Sequence, residues 1–202
     1  MKSTLLSLLF LLCLPLFGQQ KEVLYDDFTK NKNNWEEGKS PIHQKYVKNG
    51  FYHIINTDPG SVTWNSIPVK IDQTQNFAIE TSVSLSESKE GEAILIFGED
   101  NKTDDFFFIQ IRDVSKKYPI QIGKRENGEW KGVWKSAKIN TQKEYNRLTV
   151  KKIKDEMIFL VNGIIVHTQK FEPFFGNGLG LGCGGPQHAI FDYVLVLENQ
   201  AN

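Results

Sequence analysis

The feature that most constrains this chain is its two-residue period. Apolar and polar residues alternate in short runs from residue 23 to residue 197, and β-branched and aromatic side chains are concentrated in those runs. Thirteen strand segments are predicted: Val23–Phe28, Gly50–Asn56, Val62–Ile67, Phe77–Leu85, Glu92–Gly98, Phe106–Arg112, Pro119–Lys124, Glu129–Lys135, Asn146–Ile153, Met157–Val161, Ile164–Gln169, Gly178–Gly184 and Ala189–Leu197. Turn chemistry separates them, notably Asp58-Pro59-Gly60, Glu90-Gly91, Asn127-Gly128, Asn162-Gly163 and Gly176-Asn177-Gly178. Asn-Gly between two strand-like runs is a strong hairpin signal. No amphipathic helix longer than about two turns is visible, with Glu172–Phe175 forming one short turn at most. This many short strands with no helix to cover them predicts an all-β, two-sheet antiparallel sandwich. No linker or repeat divides it, so one domain is expected over residues 19–202, with its core at about 22–198.

The first eighteen residues obey a different rule. Lys2 supplies a small basic start, Leu5 to Phe17 is nearly all apolar, and Pro15 and Gly18 break the run before Gln19-Gln20-Lys21. That is the layout of a secretory signal peptide, cleaved after Gly18. The run is shorter than the roughly 20 residues that cross a bilayer. Lipidation at Cys13 is disfavoured, because Phe10-Leu11-Leu12 lacks a small residue before the cysteine. A secreted or periplasmic location follows, with no membrane span in the mature chain.

Composition adds exclusions. The precursor has 24 Lys and Arg against 24 Asp and Glu, and cleavage removes Lys2, leaving a formal charge of −1. A balanced charge offers no long-range field for nucleic acid. Cleavage also removes Cys13, so Cys183 remains alone and no disulfide forms. Cys183 lies in an alternating Gly and apolar run and reads as a small buried strand residue.

Alternation assigns faces. Ile79, Thr81, Val83 and Leu85 oppose Glu80, Ser82 and Ser84. Phe107, Ile109 and Ile111 oppose Phe106, Phe108, Gln110 and Arg112. Ile120 and Ile122 oppose Gln121, Gly123 and Arg125. The first set of each is expected in the core. The second sets are expected to share an outer face that mixes polar groups with aromatics.

The order of short motifs resembles a known superfamily. Asp26-Asp27-Phe28 and Trp35 open the domain, followed by Gly50-Phe51-Tyr52, Phe77-Ala78-Ile79-Glu80-Thr81, Ile96-Phe97-Gly98 and Asp105 to Ile111. Gly128-Glu129-Trp130, Leu160-Val161-Asn162-Gly163, Gly178-Leu179-Gly180-Leu181 and Phe191-Asp192-Tyr193-Val194 follow. This succession resembles bacterial extracytoplasmic domains of the concanavalin A-like lectin/glucanase superfamily, near its laminin-G-like and keto-disaccharide-hydrolase-like branches. The resemblance implies a jelly-roll sandwich whose concave sheet is the ligand surface, and carbohydrate as the partner. Relatives commonly carry Arg after the Ile-Phe pair, where this chain has Gly98.

Catalytic and metal patterns are sparse. Superfamily glucanases carry their carboxylates as Glu-x-Asp-x-x-Glu on one strand, and neither Glu-x-Asp nor Asp-x-Glu occurs here. After Glu80 the same-face positions are Ser82 and Ser84. His43, His53, His167 and His188 show no zinc-type spacing. Asp27 and Asp192 are the pair that neighbouring terminal strands would bring together for a structural calcium, and the plainer reading of Asp27 is a turn anchor. No other cofactor is expected.

The aromatics carry the functional expectation, since sugar rings stack on flat aromatic faces. Trp130 and Trp134 flank Gly132 on one face of a strand and read either as a platform or as packing. Trp64 reads equally as platform or core, and Phe28 and Trp35 as core or rim. The expected function is a non-catalytic, lectin-like carbohydrate-binding module. Its candidate residues are Glu80, Phe108, Gln110, Arg112, Gln121, Arg125, Trp130 and Trp134. The alternatives are a glycoside hydrolase or lyase with an unfamiliar site, and an envelope protein-interaction domain.

Overall fold

The computed structural model describes residues 20–85, 91–112, 119–136 and 145–199. The leader expected over residues 1–18 lies outside them. The described residues form fifteen strands and no helix: β1 Gln20–Asp26, β2 Gly38–Lys39, β3 His43–Lys48, β4 Phe51–Asn56, β5 Val62–Pro68, β6 Phe77–Leu85, β7 Glu92–Asp100, β8 Asp105–Arg112, β9 Ile120–Glu126, β10 Glu129–Lys135, β11 Asn146–Ile153, β12 Glu156–Val161, β13 Ile164–Lys170, β14 Gly178–Gly184 and β15 Gln187–Asn199. All thirteen expected segments are strands. The two missed ones, β2 and β3, lie at one edge of a sheet. Edge strands expose one side and tolerate polar sequence, so His43-Gln44-Lys45 carries no apolar period to read. The stretch Glu172–Phe175 is irregular, without a helical turn.

The strands form two antiparallel sheets. A nine-stranded sheet runs β13-β12-β11-β6-β15-β4-β3-β2, with β1 paired to β15, and a six-stranded sheet runs β10-β9-β8-β7-β14-β5. The first and last strands are therefore neighbours. The two Asn-Gly hairpins close as the sequence demands: Asn127 and Gly128 have φ of 54° and 79°, and Asn162 and Gly163 have 53° and 81°. Both central residues are left-handed, the condition of a type I′ turn.

The sheets pack face to face as a jelly-roll sandwich around one main core. The nine-stranded sheet contributes Ile79, Val83, Leu148, Val150, Val194 and Val196, and the six-stranded sheet contributes Leu95, Phe97, Ile109, Ile111, Leu179 and Leu181. The inward sets match the alternation. Cys183 is buried among them, its thiol pushed up to about 12 by burial.

One end of the core is locked by a carboxylate. Phe28, Trp35 and Tyr52 are buried with ring centroids 5.3–5.7 Å apart. Beside them, buried Asp26 accepts hydrogen bonds from the Phe28 amide (3.0 Å), the Trp35 Nε1 (3.0 Å) and the Asn33 Nδ2 (2.5 Å). These bonds hold Phe28 at a φ of 53°, a left-handed conformation that is uncommon for a bulky residue. Asp27 is the turn anchor the sequence suggested: its Oδ1 accepts from the Thr29 amide (3.1 Å) and the Thr29 hydroxyl (2.8 Å), which lower its pKa.

Candidate functional site

The outer face of the six-stranded sheet is built in rows set by strand register. One row reads Trp64, Gly182, Ile94, Gln110, Gln121, Trp134 across the six strands, and the next reads Ser66, Gly180, Ile96, Phe108, Gly123, Gly132. At one end the outward row is Pro68, Gly178 and Glu99, continued by Phe106, Arg125 and Trp130. At the other it is Val62, Gly184, Glu92 and Arg112.

Outward does not mean exposed here. Ile94, Ile96, Phe106 and Phe108 form a second apolar cluster, separate from the main core, and all four are fully buried. Two tryptophans roof it. Trp64 meets Phe106 edge-on at 5.5 Å. Trp130 meets Phe106 at 5.4 Å and Phe108 at 5.0 Å, and it remains 39% exposed. The bare glycines of β14 make this roof fit. Trp64 stands on β5 and Glu99 on β7, on either side of β14, yet the Trp64 Nε1 donates to the Glu99 Oε1 at 2.8 Å. The indole spans a strand whose outward positions carry no side chain. A Cβ on Gly182 would lie 3.1 Å from that of Trp64.

Glu99 faces outward because the strand is bulged. Strict alternation after Ile94 and Ile96 would aim it into the core. Gly98 has a φ of 67°, and the register of β7 shifts there against both neighbours, so Glu99 pairs with outward-facing Gly178. A glycine inside a strand is the sequence mark of such a bulge. Glu99 is 3% exposed, and its Oε2 has no hydrogen-bond partner among the described residues.

The far end of the face is a polar network in which the buried Arg112 Nε has no partner among the described residues. Arg112 reaches the Glu92 Oε1 with its Nη2 at 2.5 Å and lies 3.6 Å from the Trp134 ring centroid. The Gln110 Nε2 donates to the Glu92 Oε2 (2.9 Å) and to the Gln121 Oε1 (2.8 Å). Arg125 sits 5.8 Å over the Trp64 ring, and its Nη1 donates to the Asp104 carbonyl at 2.6 Å.

Of the expected site residues, this face gathers Phe108, Gln110, Arg112, Gln121, Arg125, Trp130 and Trp134. Phe108 and Gln110 are its buried floor rather than contact groups. Glu80 does not belong with them. It lies on the outer face of the other sheet, since β6 is in the nine-stranded sheet. Alternation gives the face within a strand but not which sheet the strand joins. There Glu80 accepts from the Tyr193 hydroxyl (2.7 Å) and the Thr149 hydroxyl (2.8 Å), with the Arg147 Nε at 3.7 Å. Beside this network the His53 Nδ1 and His188 Nε2 are 3.0 Å apart, and Tyr46 stacks on His53 at 4.5 Å. Burial, then the neighbouring His188, lowers the His53 pKa. Burial raises the pKa of Asp192. Among the described residues, no three His, Cys, Asp or Glu side chains gather in a way that would hold a metal ion.

Two hollows lie off the aromatic face. One of about 510 Å³ sits at the end of the sandwich among Val69, Ile71, Phe97 and Phe174, and one of about 380 Å³ lies over Ala78, Glu80, Thr149 and Leu195. The first is lined by apolar residues together with Lys70, Gln73 and Asn177, and the second borders a carboxylate that is already satisfied. Sequence reasoning missed Glu99 and left Trp64 undecided. The internal Gly98 was the available signal for the first.

No family model and no curated protein matches the chain in sequence. Solved structures match it in shape. A Bacillus subtilis protein with a galectin-like fold shares 13% identity at a TM-score of 0.64, covering 90% of this chain and 100% of that one. The catalytic domain of an endo-1,3-β-glucanase (laminarinase) from Thermotoga petrophila shares 15% at 0.61, covering 91% and 100%. The carbohydrate-binding module CBM66 from Bacillus subtilis shares 13% at 0.50, covering 88% and 94%. The chain therefore has the concanavalin A-like jelly-roll fold.

Proposed function

We propose that this protein is a non-catalytic carbohydrate-binding module that uses the outer face of its six-stranded sheet. One observation carries the reading: Trp130 lies over buried Phe106 and Phe108 while staying 39% exposed, with Arg125 beside it. An aromatic ring held in place by aromatic packing, with polar groups at its rim, suits the apolar face and hydroxyl edge of a sugar. Carbohydrate-binding modules and glucanases on the same fold support the class of partner.

The carboxylates of this face argue against hydrolysis. Glu92 and Glu99 stand at opposite ends of β7. At about 3.3 Å per residue they are roughly 20 Å apart, whereas a glycosidase pair lies within about 5–9.5 Å. The outward positions between them are Ile94 and Ile96. The order of short motifs supports a position near the laminin-G-like and keto-disaccharide-hydrolase-like branches of the concanavalin A-like superfamily. The signal-peptide pattern of residues 1–18 supports a periplasmic or exterior location, with Gln19 as the expected mature N-terminus.

Affinity electrophoresis in gels containing laminarin, lichenan or mucin is the test. Retardation by at least one polymer without release of reducing ends is expected. A folded protein that none of them retards would overturn the reading, and release of reducing ends would replace it with a hydrolase.

A further inference from the structure

We infer that Glu99 is the hydrogen-bonding anchor of this face and that its ligand is a neutral glycan, whose hydroxyl donates to the Glu99 Oε2. The inference rests on the carbohydrate reading and adds the anchoring residue and the charge class of the ligand.

Buried polar atoms are nearly always partnered, and an orphan calls for an explanation. The Glu99 Oε2 is such an orphan, on a carboxyl group that is 3% exposed. Its sister oxygen is held by the Trp64 indole at 2.8 Å, which fixes the group's direction. The orphan oxygen points over the bare backbone of Gly178, where a Cβ would come within 3.1 Å of it. A carboxylate oxygen accepts and does not donate, so the missing partner is a donor. A sugar stacked on the roof brings hydroxyl donors to this place. The oxygen is closed off in the free protein, so the ligand reaches it only when the residues around it shift.

Charge selects the class of sugar. Glu99 shares this end of the sheet with Asp100, Asp104 and Asp105 on the β7–β8 turn. Of the two arginines of the face, Arg112 pairs with Glu92 through its Nη2 while its Nε has no partner among the described residues, and Arg125 donates to the Asp104 carbonyl. An acidic sugar would set its own carboxylate against that of Glu99, a like charge. A neutral one meets an acceptor in need of a hydroxyl.

The experiment compares wild type, Glu99→Gln and Trp64→Phe in binding to laminarin, with polygalacturonate as the acidic comparator, and in thermal melting. Glu99→Gln keeps the shape and an oxygen for Trp64 but replaces the orphan acceptor with a donor. It should melt at or above the wild-type temperature, because a buried carboxylate is removed, and should bind laminarin about ten- to a hundred-fold more weakly. Trp64→Phe frees the second oxygen and should weaken binding as well. A purely structural Glu99 gives the opposite pattern, a lower melting temperature with binding intact, and that result overturns the inference. Equal laminarin binding by wild type and Glu99→Gln overturns the anchor while leaving the carbohydrate reading standing. Tighter wild-type binding to polygalacturonate than to laminarin overturns the neutral class. A wild type that binds neither polymer overturns the anchoring role for this ligand class, the carbohydrate reading falling with it only if lichenan and mucin fail as well, and this shows before any variant is made.

Discussion

The two outer faces of this sandwich come from the same alternation and end in opposite conditions. On the nine-stranded sheet the polar groups close on one another: Glu80 has both oxygens engaged by Tyr193 and Thr149, and His53 faces His188. On the six-stranded sheet a second apolar cluster is roofed by two tryptophans, and the Glu99 Oε2 and the Arg112 Nε are left without a partner among the described residues. A face whose polar atoms satisfy each other is finished as structure. A face with an exposed, pre-packed indole and an unmet acceptor has interactions left to make, so the contrast separates a structural surface from a binding one.

The largest effect on this contrast should come from Gly98→Ala. The new Cβ would sit 2.6 Å from the Phe174 ring, at a φ of 67° that side chains rarely adopt. Left-handed strain and overpacking together should cost about 2–5 kcal/mol in chemical denaturation, and a stability unchanged within error would mean the bulge is not needed to turn Glu99 outward. Next is Trp130→Ala, which removes the exposed ring and uncovers Phe106 and Phe108. Glycan retardation should be lost while stability falls by about 1–2 kcal/mol, and retained retardation would remove Trp130 from the site. Glu80→Gln should do the reverse on the other face: about 1 kcal/mol of stability lost, with glycan binding unchanged. A binding loss there would merge the two faces into one functional system.

A smaller effect concerns pH. The His53 pKa is lowered in the folded state by burial and by His188, so the unfolded chain takes up more protons as pH falls below the ordinary histidine range. The stability from His53 is therefore present above about pH 6.5 and is lost as pH falls toward the lowered value. His167, lowered by burial and then by Lys135, acts in the same direction. Melting temperature should drop between pH 7 and 5, and His53→Phe should flatten that slope. The smallest effect concerns Cys183, whose buried thiol at about 12 should resist alkylation until the protein unfolds.

The thirteen long alternating strands, the two Asn-Gly hairpins and the inward residues of β6, β8 and β9 were legible in the sequence, because each depends on neighbours within a few positions of the chain. The site was legible in part. Gln110, Arg112, Gln121 and Arg125 were correctly placed on the outward side of their strands, while Trp130 and Trp134 were put on one shared face without deciding between platform and packing. Glu80 was grouped with them because period-2 patterning carries no information about sheet membership. β3 escaped notice because an edge strand carries little apolar signal. Glu99 escaped because a bulge breaks the parity on which face assignment rests.

The sequence by itself determined an all-β chain, thirteen of its fifteen described strands, its two Asn-Gly hairpins and the inward and outward sets of β6, β8 and β9, since these follow from local sterics and burial pattern. Tertiary structure decided which sheet each strand joins, how Trp64 crosses glycine-bearing β14 to reach Glu99, and that Phe106 and Phe108 are sealed although they point outward. Those outcomes depend on residues such as Trp64 and Glu99, 35 positions apart in the chain. Their meeting is fixed by long-range strand order and register, which no local pattern encodes.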